Sequence, residues 1–146
     1  MASVKSCLEQ KSGVIISVQP NASVSEALQL MRNNRVRAVL VIEGKSLLGI
    51  VSQGDCAIKV LLPELNPKTT QIHEIMSKNL ITVSLNDDLD HCMGLMASSS
   101  IRHLPVLEQN QVVGVVSIGD IVKNIISQQG DQIKYLETYI KGHGVV

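Results

Sequence analysis

Tryptophan and phenylalanine are missing from this chain, and only two tyrosines occur in its 146 residues. An aromatic stacking platform for single-stranded nucleic acid is therefore excluded. Charge of either sign is not in excess: Lys+Arg and Asp+Glu both number 13. No basic stripe is available for a phosphate backbone, so a nucleic-acid partner is not expected. No apolar run approaches the ~20 residues that span a bilayer, and Met1–Cys7 carries no apolar signal-peptide core. Cysteine is scarce. Cys7, Cys56 and Cys92 cannot all pair within one chain and show no CxxC spacing, which reads as reduced, buried thiols and a cytoplasmic location. His91-Cys92 and the scattered histidines lack metal-ligand spacing, so no metal is expected. No Ser/His/Asp set stands in a nucleophile context, which argues against an enzyme.

Aliphatic residues supply the rest. AVILMFWYC residues make up 45% of the chain, so any core must be built from Val, Ile, Leu and Met. At this length the chain is one ordinary domain, or two small units sharing a core.

A repeated phrase decides for two units. Gly49-Ile50-Val51-Ser52-Gln53-Gly54-Asp55 returns 65 residues later as Gly114-Val115-Val116-Ser117-Ile118-Gly119-Asp120. Sliding residues 17–61 onto 82–126 without a gap matches Val18, Asn21, Leu30, Met31, Arg37, Val41 and Glu43 to identical residues as well. Many other pairs exchange one aliphatic residue for another, as in Val36/Ile101 and Val39/Leu104. This is an internal duplication.

Each copy predicts the order β-α-β-β-α. A short strand comes first (Val14–Val18; Leu80–Val83). Helix-start chemistry follows at Pro20-Asn21-Ala22-Ser23 and Asn86-Asp87-Asp88. Val24, Ala27, Leu28 and Met31 then recur at i, i+3, i+4, i+7, as do Leu89, Cys92, Met93 and Met96. Two strands come next (Val36–Ile42 and Leu47–Ser52; Ile101–Leu107 and Val112–Ser117), and a second helix begins near Asp55 or Asp120. The predicted boundaries are repeat 1 at 10–62, a linker at 63–74, repeat 2 at 75–128 and a C-terminal helical extension at 129–146. Ile72, Ile75 and Met76 predict one helical turn leading into the second copy; Ile133, Leu136, Tyr139 and Ile140 predict a packing or dimer-contact arm, or a frayed terminal helix. A single unit of about 60 residues is marginal, and two units packed together bury enough surface to be stable.

Ser-x-x-Asp at a strand end supports two compatible readings. It is nearly a capping box, worth ~0.5–2 kcal/mol without any ligand. It also puts a carboxylate beside a helix N-terminus, where ribose hydroxyls and anions can be held. Gly44-Lys45-Ser46 is not the end of a phosphate-binding loop, because it sits in a hairpin and Val39 stands where the first glycine belongs.

The duplicated unit resembles the CBS domain, and the tandem pair resembles a CBS-pair (Bateman) module. The resemblance is carried by the two Gly-hydrophobic-Val-Ser-x-Gly-Asp phrases, by Ile101-Arg102-His103-Leu104-Pro105-Val106, and by Ile72-His73-Glu74-Ile75-Met76-Ser77 with Ile81-Thr82-Val83. It covers roughly residues 13–128 and leaves little for a catalytic domain. It implies an α+β fold of two repeats packed about a pseudo-twofold axis, without catalysis, and an adenine-nucleotide ligand (AMP, ADP, ATP or NAD(H)). It also implies a homodimer and a regulated partner protein.

By that resemblance Ser52 and Asp55 hold one ribose, and Ser117 and Asp120 another. Crossed pairing sets Arg102 and His103 toward Asp55, and Arg37 toward Asp120. For adenine the candidates are Met76, Ile81 and Thr82 at the Asp55 site, and Lys11 and Ile16 at the Asp120 site. The plain alternatives stand beside these: surface ion pairs for the arginines, a satisfied half-buried histidine for His103, core packing for the apolar residues. Ala38 and Leu40 replace His103 and Pro105 in the first copy, so the two sites should differ. The alternative to nucleotide binding is an assembly module in which both phrases only cap helices.

Overall fold

The computed structural model describes residues 2–11, 13–128 and 130. Its elements are α1 (Val4–Glu9), β1 (Ser17–Val18), α2 (Val24–Asn34), β2 (Ala38–Glu43), β3 (Ser46–Ser52) and α3 (Gln53–Cys56), which continues as a π-helical stretch, Ala57–Leu61. A 3₁₀ turn (Ile72–Glu74), α4 (Leu89–Ser99), β4 (His103–Glu108) and β5 (Gln111–Ser117) follow, and residues 118–128 form α5. The fold is α+β and duplicated, as the repeat predicts.

Local chemistry explains the paired helices. Ser23 caps α2 by accepting the amide of Glu26 at 3.1 Å, and Asp88 caps α4 by accepting that of His91 at 2.7 Å. Val24, Ala27 and Met31 are buried on one helix, Leu89, Cys92 and Met96 on the other; Leu28, expected in the first stripe, is 37% exposed. Both helices end on a left-handed residue, Arg35 and Ser100, again 65 apart.

The hairpins match equally well. β2 pairs antiparallel with β3, and β4 with β5, each with a register shift at the same repeat position, Val41/Ile42 and Val106/Leu107. The first strands are shorter than expected. β1 keeps two residues in parallel with β2, and the expected strand Leu80–Val83 is reduced to one bridge, Val83 to Val106. Proline accounts for part of the difference between the copies. The Leu40 amide donates to the Ile16 carbonyl at 3.1 Å, whereas Pro105, the equivalent of Leu40, has no N–H to give to Ile81.

The two cores are interlocked. The first gathers Val24, Met31, Val41 and Val51 but also Ile72 and Ile75; the second gathers Leu89, Cys92, Val106 and Val116 but also Val4 and Cys7. Each repeat is completed by the segment that precedes the other. Backbone bonds lock both exchanges: Ile72 N–H to Ala22 O at 2.9 Å, and Val4 N–H to Asp87 O at 2.8 Å. Helix α1 was not expected from the sequence. It is six residues long, held by a capping box between Ser3 and Ser6, and shows no sustained periodicity. The arm expected from Ile133 to Ile140 lies outside the described residues.

Candidate functional site

The repeated phrase is a capping box in both copies. Ser52 ends β3 in extended conformation; its hydroxyl accepts the Asp55 amide at 3.1 Å, and the Asp55 Oδ2 accepts the Ser52 amide at 2.9 Å. Ser117 and Asp120 repeat both bonds at 3.1 and 2.9 Å. The helices begin at Gln53 and residue 118, two residues before the aspartates, because serine is the cap and aspartate the third helical residue.

The cations differ. The Asp55 Oδ1 meets Lys59 Nζ at 3.2 Å, one turn along the same helix, and Lys59 also donates to the Ile75 carbonyl at 2.9 Å. The i,i+4 spacing of this partner is visible in the sequence, but spacing alone does not turn the lysine toward the carboxylate. Asp120 instead meets Lys11 at 2.8 Å. Lys11, expected near adenine, is thus the counter-ion of the second aspartate. Burial alone would raise the Asp120 pKa, but the Lys11 hydrogen bond, the Ser117 amide and the Lys11 charge outweigh it and hold it below the ordinary carboxylate value.

A cavity of about 460 Å³ lies between the repeats over Asp55. Ser52 and Asp55 form one side; Arg102, His103 and Pro105 come from the second repeat, Ile81 from the segment leading into it. Arg37 lines this cavity too, although the resemblance had set it toward Asp120. Met76 packs beside Gly49 and against the first core; its neighbour Ser77 lines the cavity instead. Thr82 is exposed and is not among the lining residues. Ile16 packs against the first core. Gln53, Asn79 and Ser100 also line the cavity and were not foreseen, since no periodicity marks a polar loop residue as facing a cleft.

His103 pairs with Ser117 across β4 and β5, so it stands close to both aspartate sites. Burial lowers its pKa below 6.5; Asp120 opposes this, while Lys11, Arg102 and Arg37 add to it. All three cysteines are free and buried. Desolvation raises the Cys56 and Cys92 thiols to about 11, so they are packing residues rather than nucleophiles. Among the described residues no group of His, Cys, Asp and Glu could hold a metal, and no helix is long and apolar enough to cross a membrane.

The sequence model of the CBS domain matches this chain twice, over residues 12–61 and 72–127. The chain belongs to the CBS-domain family. It is 33% identical over 129 residues to the CBS domain-containing protein YhcV of Bacillus subtilis, covering 88% of this chain and 89% of that protein. This CBS pair also superposes on a putative signal-transduction protein with CBS domains from Burkholderia ambifaria, with a TM-score of 0.85, 37% identity and coverage of 88% and 96%. The CBS domain pair of protein MJ0100, in complex with 5′-methylthioadenosine and S-adenosyl-L-methionine, matches with a TM-score of 0.77 and 26% identity, covering 88% of this chain and 98% of that one.

Proposed function

We propose that this CBS pair is a regulatory module whose Asp55 cleft binds an adenosine-containing ligand (AMP, ADP, ATP or NAD(H)) and reports energy or redox state through the arrangement of its repeats. The observation that carries this reading is one cavity, fed by both repeats, that sets a carboxylate at a helix start together with Arg37, Arg102 and His103. Its volume suits a small-molecule site. The Asp55 carboxylate has acceptor capacity left for ribose hydroxyls. The guanidinium forks of Arg37 and Arg102 suit phosphate. Ile50 and Ile81 supply apolar wall, and Pro105 leaves the Ile81 carbonyl without the bond that Ile16 receives, free to accept the amino group of adenine. A ligand touching both repeats favours whichever arrangement it binds better, and a partner protein reads that shift.

The complex of MJ0100 with two adenosine compounds supports the ligand class. Two arginines favour a phosphate-bearing member of it here. Calorimetry with AMP, ATP, NADH and S-adenosyl-L-methionine on wild type, Asp55→Asn and Arg102→Ala tests the reading. Hydrogen bonds to charged groups are worth about 1.5–3 kcal/mol, so Asp55→Asn should weaken every ligand roughly tenfold or more. Arg102→Ala should weaken only the phosphate-bearing ones. Failure of the wild type to bind any of the four, or unaltered binding by Asp55→Asn, would sink the proposal.

The assembly reading has its own observation: both capping boxes are complete with the chain's own atoms. It requires that no nucleotide change the melting temperature, and that Asp55→Asn cost only part of a cap.

A further inference from the structure

The two copies of the phrase share their backbone geometry and their caps, yet their aspartates are neutralised from different directions. Lys59 pairs with Asp55 from within α3 and its π continuation, and its second bond, to the Ile75 carbonyl, ties it to the entry turn of the other repeat. The equivalent of Lys59 in the second copy is Asn124, which brings no charge. Lys11 fills the role from outside the helix. Its ammonium donates to Asp120 Oδ2 at 2.8 Å and to the Val115 carbonyl at 2.9 Å. Val115 is the repeat equivalent of Ile50, whose carbonyl accepts the Ser77 amide at 2.9 Å. One ammonium therefore bridges the Asp120 carboxylate and the Val115 carbonyl.

We propose that Lys11 is a built-in occupant of the second cleft, standing on Asp120 where ribose hydroxyls would bind, so that the module carries one open site and one latched site. The proposal rests on the reading of Asp55 as a ribose acceptor. Lys59 reaches Asp55 Oδ1 at 3.2 Å from the same helix, and the cavity of about 460 Å³ is lined by that aspartate, whereas Lys11 reaches Asp120 Oδ2 from a separate segment and takes the Val115 carbonyl of β5 as well. The Lys11 side chain is 35% exposed and can swing away without opening the core.

The test uses the full chain and AMP. Wild type should take up one equivalent of AMP per chain, Lys11→Met two, and Lys11→Met/Asp120→Asn one again, with the second site tightened at least tenfold by removing the lysine. One equivalent, or weaker binding, in Lys11→Met would overturn the proposal. A second readout needs no nucleotide: carbon NMR titration of the Asp120 carboxyl. Its midpoint should rise in Lys11→Met, because the lysine that lowers it has gone. An unchanged midpoint means that Lys11 does not occupy Asp120, and overturns the latch whatever the calorimetry shows. A raised midpoint with no AMP binding to either protein keeps the latch and rejects the nucleotide reading of the clefts.

Discussion

Position 103 carries histidine where the first repeat has Ala38, and the exchange adds a titratable group to one cleft. His103 lines the Asp55 cavity, and its pKa is depressed chiefly by burial, with Lys11, Arg102 and Arg37 adding to the effect against Asp120. The unfolded chain takes up this proton near 6.5 and the folded chain only at lower pH. The histidine therefore costs nothing well above 6.5, and stability falls as pH drops from there through the folded value. Urea midpoints at pH 7.5, 6.5 and 5.5 should decline less steeply in His103→Gln than in wild type. Parallel declines would show that the folded state does not perturb this histidine. The residue was visible in the sequence as an irregularity between the copies. The cause of its shift was not, since burial, Lys11 and Arg37 from distant segments and Asp120 across the hairpin act on it together with the neighbouring Arg102.

Among the elements, the strand that opens the phrase tests how far equivalence goes. Gly49 and Gly114 occupy the same position in β3 and β5, but their neighbours differ. A methyl on Gly49 would lie 2.8 Å from both the Met76 sulfur and the Ser77 carbonyl oxygen; one on Gly114 would lie 3.0 Å from the Leu8 methyls. The Ser77 carbonyl is held by the Ile50 amide at 3.1 Å and cannot withdraw, whereas a leucine tip can turn. Gly49→Ala should thus cost about 1–3 kcal/mol by overpacking, and Gly114→Ala clearly less, both read from denaturant midpoints. Equal losses would mean that the Leu8 site is as rigid as the Ser77 bridge. Helices α2 and α4 were legible because stripe, cap and stop are local. The reduced first strands were not, because their pairing depends on whether residue 40 or 105 brings an amide to a distant carbonyl.

For the whole molecule, the exchanged entry segments matter most. With Val4 and Cys7 buried in the second core and Ile72 and Ile75 in the first, neither repeat is complete without chain that belongs to the other. The α3 side keeps a different surface. Ile58, Leu61 and Leu62 are 64%, 76% and 72% exposed, and Val122 and Ile126 on α5 are 45% and 61% exposed. Apolar side chains so placed on the equivalent helices of both repeats fit an association surface. We propose that they form the homodimer contact expected from the family resemblance. Sedimentation should then show a dimer for wild type and a monomer for Leu61→Lys/Ile126→Lys; a variant that stays dimeric would move the contact elsewhere.

What the sequence determined by itself is whatever short-range physics decides: the duplication, the capped helices at 3.6-residue spacing, the hairpins, and the Ser-x-x-Asp turns that start the last helix of each repeat. Residues 52 and 55, or 117 and 120, need only their own backbone to form that turn. Tertiary structure decided which segment finishes each core, which side of the molecule Arg37 faces, and how each aspartate is neutralised. Lys11 and Asp120 are separated by 109 positions, and no periodicity links residues that far apart. Their contact exists because the first segment packs on the second repeat. That exchange gives the two copies of one phrase unequal surroundings.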